Sequence, residues 1–88
     1  MIFISLGKFR KKPTKETFAQ GTKLLEHIAK EGAKILAVYW TLGRYDTVLI
    51  IEGRDEKAAM KGAARFGDIL STETLVAVPR EEAIKLLE

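Results

Sequence analysis

The stretch Thr41-Leu42-Gly43-Arg44-Tyr45-Asp46 gathers a hydroxyl, a guanidinium, a phenol and a carboxylate between two apolar runs. An enclosed carboxylate needs donors, because an unpaired buried charge costs several kcal/mol, and the Thr41 hydroxyl and Arg44 are candidates to supply them to Asp46. Asp46, on the same hairpin face as Tyr39 and Thr41, is a candidate site residue. The competing role for Asp46 is structural, because aspartates beside glycine turns often bond the turn's own amides.

Other chemistry finds little support. His27 is the single histidine, and helical spacing aligns it with Gln20, Lys23 and Lys30 on a polar face. The chain has no cysteine, which removes disulfides, thiolate metal sites and a cysteine nucleophile. No nitrogen or carboxylate set has metal-ligand spacing, and Ser5 has no histidine placed for a hydrolytic triad. No catalytic residue, metal or cofactor is assigned.

The elements that must position this stretch follow from periodicity. From Ile2 to Lys8, Ile2, Ile4 and Leu6 alternate with Phe3, Ser5 and Gly7, as in a strand. Lys8, Arg10, Lys11, Lys12 and Lys15 then form a basic segment without an acid, more simply a solvated loop than a phosphate site. Phe18, Gly21, Leu24, Leu25 and Ile28 recur at helical spacing, with Thr14 as N-cap and Gly32 as the stop. Lys34 to Leu42 and Tyr45 to Gly53 read as a hairpin about Gly43-Arg44, Gly43 supplying a positive φ. Asp55 caps a second helix over Ala59, Gly62, Ala63 and Phe66, which ends at Gly67. Leu70 to Val78 is a fourth strand, and Pro79 precedes a short amphipathic helix with Ala83, Ile84 and Leu87.

This order is the ferredoxin-like β-α-β-β-α-β arrangement with a short C-terminal helix, an α+β fold with an antiparallel four-stranded sheet. A length of 88 residues allows one domain, residues 1–88. At 47% hydrophobic and 31% charged, the chain is too apolar for disorder and too interrupted for a membrane span, and the cytoplasm is the expected location.

Counting outward from the turn places Leu36, Val38, Trp40, Leu42, Tyr45, Thr47, Leu49 and Ile51 on one hairpin face. Ile35, Ala37, Tyr39, Thr41, Asp46, Val48, Ile50 and Glu52 fall on the other. Both are apolar, yet the two main helices cover only one side of such a sheet. The face with Trp40 and Leu49 is assigned to the helices. The face with Tyr39, Thr41 and Asp46 is expected to meet a second copy, since an apolar patch of that size is rarely left bare.

Val38-Tyr39-Trp40-Thr41-Leu42-Gly43-Arg44-Tyr45-Asp46, with Thr72-Glu73-Thr74-Leu75 downstream, resembles the bacterial and archaeal GYD domain proteins, named for their Gly-x-Tyr-Asp signature. The resemblance spans nearly the whole chain and implies a dimeric α+β barrel. It implies no particular reaction. More distantly, the order of elements and the turn are similar to the ligand-sensing domain of Lrp/AsnC-type regulators, whose DNA-binding helices this chain lacks. That likeness implies that Gly43, Arg44, Tyr45 and Asp46 border a site for a small polar or anionic ligand, with Arg44 as the anion partner; Tyr39 and Thr41, on the same face as Asp46, complete the ligand-binding candidates.

The expected function is therefore a homodimeric or larger small-molecule-binding or accessory module. The alternative is a small monooxygenase or isomerase, light in cofactors, that uses the barrel lumen. Nucleic acid is not an expected partner: an RNA-recognition strand needs spaced aromatics, and Tyr45-Asp46-Thr47-Val48-Leu49 offers one, followed by an acid and aliphatics.

Overall fold

The computed structural model describes residues 1–88. The elements run β1 (Ile2–Phe9), α1 (Lys15–Lys30), β2 (Lys34–Trp40), β3 (Thr47–Glu52), α2 (Glu56–Phe66), β4 (Leu70–Ala77) and α3 (Arg80–Ala83), with a final 3-10 turn at Ile84–Leu87. The four strands form one antiparallel sheet in the order β2-β3-β1-β4, which is the ferredoxin-like α+β topology. No helix is long and apolar enough to cross a membrane.

Local chemistry sets the helix limits. Thr14 is extended, and its hydroxyl accepts from the Thr17 amide while Thr17 Oγ1 accepts from the Thr14 amide, a reciprocal cap on α1. At the other end Gly32 has φ 102°. The Gly32 and Ala33 amides donate to the Ala29 and Ile28 carbonyls, which closes α1 in a Schellman motif. Asp55 caps α2 by accepting from the Lys57 and Ala58 amides.

The core lies between the helices and one face of the sheet. Phe3, Ile28, Ala33, Ile51, Ala59, Phe66 and Leu70 are buried there, with Leu24, Leu25, Ile35 and Leu49 packed against them. Phe3 pairs with Ile51 and Ser5 with Leu49, so odd-numbered residues of β1 face the helices. On the opposite face Tyr39, Val48, Leu6 and Glu73 make a continuous cross-sheet row, and no helix covers it.

The hairpin register matches expectation from Trp40 opposite Thr47 back to Ala37 opposite Ile50. Beyond it the face assignment of two residues is corrected. The pairing shifts between Ile35 and Ala37, so Ile35 lies opposite Ile51 and packs on the core, whereas Leu36 is exposed. A bulge adds one unpaired residue, which inverts every face predicted by strict alternation past it. The turn is also longer than a two-residue connection. The strands end at Trp40 and resume at Thr47, and the Thr41 amide donates to the Asp46 carbonyl at 2.7 Å. Gly43 still takes the positive φ expected of it, 107°, and Leu42 projects fully into solvent.

Candidate functional site

The hairpin residues singled out by sequence are distributed over distinct tasks. Thr41 Oγ1 donates to the Tyr45 carbonyl at 2.7 Å, which braces the loop. Asp46 donates its amide to the Gly7 carbonyl and accepts from the Phe9 amide through Oδ2, both at 2.8 Å. The carboxylate thus takes the place of a neighbouring strand's carbonyl where β3 has ended, and holds the last residue of β1 in line. Tyr39 is exposed on the open sheet face.

Tyr45 departs from its expected side. Its hydroxyl donates to a Glu73 carboxylate oxygen at 2.6 Å, and Glu73 shares the open face with Leu6. The residues between Thr41 and Asp46 form a loop, so alternation counted through the strands does not govern them. The hydrogen bond to Glu73, aided by partial desolvation and the carboxylate's charge, raises the Tyr45 pKa above 10.0, while Arg44 works against it. The Arg44 guanidinium sits 5.8 Å from the Tyr45 ring centroid, within cation–π range. Arg44 and Gly43 occupy the exposed tip of the loop.

A concave feature of the fold lies on the other side of the sheet. A hollow of about 330 Å³ opens between α1 and the helix-facing surface of the sheet. Phe9, Phe18 and Trp40 stand at it: the Trp40 ring meets Phe9 at 5.1 Å and 66°, and Phe18 at 5.9 Å and 63°. These edge-to-face contacts are the favoured aromatic geometry. Nine of the fourteen lining residues are hydrophobic and none is titratable; the polar side chains are the hydroxyls of Ser5, Thr17, Thr22 and Thr47. Thr17 is engaged with Thr14, and Thr22 Oγ1 donates back to the Phe18 carbonyl.

Sequence reasoning did not assign these residues to a site. Trp40, Phe18 and Gly21 were placed on helix-covered surfaces, where apolar residues are ordinarily core. Gly21 carried the usable signal, since glycine inside a helix costs about 1 kcal/mol relative to alanine and calls for a reason. No group of three His, Cys, Asp or Glu side chains converges as a metal-ligand set.

The model of the GYD domain matches residues 3–87 of this chain. No curated protein matches it. Among solved structures, the chain is similar to the 5-chloro-2-hydroxyhydroquinone dehydrochlorinase TftG of Burkholderia phenoliruptrix AC1100, determined in complex with 2,5-dihydroxybenzoquinone. The TM-score is 0.70 at 17% identity, over 93% of this chain and 98% of TftG. It is also similar to LrpC of B. subtilis, with a TM-score of 0.61 at 11% identity, over 90% of this chain and 53% of that protein. At these identities the likeness is one of fold.

Proposed function

Because the chain belongs to the GYD domain family, we propose that it is a cytoplasmic, self-associating small-molecule-binding module whose ligand occupies the hollow between α1 and the sheet. The observation that carries this reading is the hollow itself. At about 330 Å³ it falls at the lower end of the roughly 300–1,000 Å³ typical of ligand sites, and it combines apolar walls with a few hydroxyls as such sites do. TftG supports it by example, since a chain of this fold is known with a small ring compound bound. Binding is preferred to catalysis because the lining offers no titratable side chain to move a proton.

In this reading the hairpin frames the site. Asp46 and Thr41 fix the ends of β1 and β2, and so hold Phe9 against Trp40. Gly43 and Arg44 shape the exposed tip, and Tyr45 ties it to β4 through Glu73. The open face, with Tyr39, Leu36 and Leu75 exposed, is assigned to a second copy of the chain.

Native mass spectrometry of the purified protein with a metabolite library tests both parts. The expected result is a dimer or larger that releases bound ligand unchanged. A ligand converted during incubation would shift the reading to an enzyme, and a monomer retaining nothing would overturn it.

A further inference from the structure

Within the hollow, two hydroxyls differ from the rest. Thr47 is 9% exposed, lines the cavity, and its side chain makes no hydrogen bond within the chain. No buried side-chain oxygen or nitrogen is both sealed and unpartnered, so the Thr47 hydroxyl keeps some exposure, and the cavity is the space this residue lines. A Cβ on Gly7 would come within 2.3 Å of Thr47 Oγ1, so the glycine in β1 makes room for that oxygen. Ser5, also on the cavity side of β1 and likewise without an intrachain partner, lines the same floor.

The opposite wall shows a second departure from plain packing. Gly21 lies inside α1 and lines the hollow, and a Cβ added there would find nothing within 4 Å. Close helix-on-sheet contact therefore does not explain this glycine, although it weakens the helix. What it does is leave space, opposite a floor with free hydroxyls and beside the Phe9, Trp40 and Phe18 rings.

We infer that the hollow selects an uncharged, flat aromatic molecule of one or two rings bearing a hydroxyl or carbonyl group, with Thr47 and Ser5 as its hydrogen-bond partners and Gly21 as the residue that sets its size. This rests on the reading of the hollow as the ligand site. The aromatic rings offer edges and faces to a planar ligand. The unpaired hydroxyls favour a ligand oxygen, because a dry ring laid against them would leave them without water or partner. A carboxylate or ammonium group would shed its hydration into a lining that holds no opposite charge. Amino acids and other small ions are excluded on that ground, which revises the polar or anionic ligand expected from the hairpin.

Calorimetric titrations with 2-naphthol, naphthalene and 2-naphthoate on the full chain test this. Naphthol should bind most tightly and naphthoate about tenfold or more weakly than it. Thr47→Val should weaken naphthol about fivefold, the net worth of one neutral hydrogen bond, without changing naphthalene. Thr47→Ser, which keeps the oxygen, should restore naphthol binding. Gly21→Leu should abolish both ligands while the melting temperature holds or rises, and Gly21→Ala should weaken them. If naphthoate matches naphthol, or Thr47→Val has no effect while Gly21→Leu still blocks, the ligand class is wrong and the site stands. If no probe binds, or Gly21→Leu leaves naphthol binding intact, the site itself is wrong and the inference falls with it.

Discussion

Asp46→Ala separates the two roles open to this carboxylate. In the structure Oδ2 accepts from the partly buried Phe9 amide at 2.8 Å, and truncation leaves that amide without its partner. Hydrogen bonds to charged groups contribute about 1.5–3 kcal/mol, and an orphaned buried donor costs about 1–3 kcal/mol. Because water can partly reach the Phe9 amide, the low end applies, and the expected loss is about 1.5 kcal/mol. In a domain of this size each kcal/mol shifts the melting temperature by about 4–8 °C, so the variant should melt roughly 10 °C lower. Asp46→Asn keeps an acceptor oxygen and should lose about 1 kcal/mol or less. Urea denaturation gives the free energies, and hydrogen exchange at the Phe9 amide localises them. Loss of protection at Phe9 should accompany the loss of stability, while ligand affinity in the hollow changes by no more than about twofold for Asp46→Asn. If Asp46→Ala stays within about 0.5 kcal/mol of the parent, with the Phe9 amide still protected, the clamp assignment is refuted.

Further outcomes follow from other contacts. Gly7→Ala should destabilise by about 1–3 kcal/mol through overpacking, since its Cβ would approach Thr47 Oγ1 to 2.3 Å; adding Thr47→Ala should recover part of the loss in a double-mutant cycle by chemical denaturation. Tyr45 has its pKa raised above 10.0, chiefly by the hydrogen bond to Glu73. The folded state then holds the proton more tightly than the unfolded one, so stability should fall as pH climbs past about 10 toward the folded value. In Tyr45→Phe that part of the alkaline decline should vanish from the urea midpoints. Glu31 has its pKa lowered below 4.5 by the Arg65 hydrogen bond, so its contribution is present above that value and is lost as pH falls through the folded pKa; Glu31→Gln should flatten this acid limb. If the open face carries the proposed self-association, Tyr39→Glu should give monomers by size exclusion with light scattering, because it places a charge on that apolar face. A parent protein that is already monomeric at micromolar concentration and binds no hydrophobic dye would refute the self-association argument.

Local signals made most of the architecture legible. Thr14, Gly32 and Asp55 mark helix ends through interactions within a few residues, and the structure places a cap or a positive φ at each. Trp40 to Ala37 could be registered against Thr47 to Ile50 because alternation holds there. It fails at Leu36, where the bulge depends on how β2 must curve against β3, and at Tyr45, where a loop side chain follows Glu73 on a strand distant in sequence. The hollow was illegible for a related reason. Phe18, Gly21 and Leu25 have the same helical spacing whether α1 presses onto the sheet or stands off from it. Only the separation between the elements distinguishes a core from a cavity. The polar hairpin drew attention because polar groups stand out among apolar ones in sequence, whereas Thr47 reads there as one more β-branched strand residue.

Backbone amide NMR during a titration with 2-naphthol tests the central claim most directly. Binding in the hollow predicts the largest shifts at residues on its two walls, around Gly21 on α1 and Trp40 and Thr47 on the hairpin strands. Shifts centred instead on the hairpin tip and the open face, at Tyr39, Arg44 and Glu73, would contradict it.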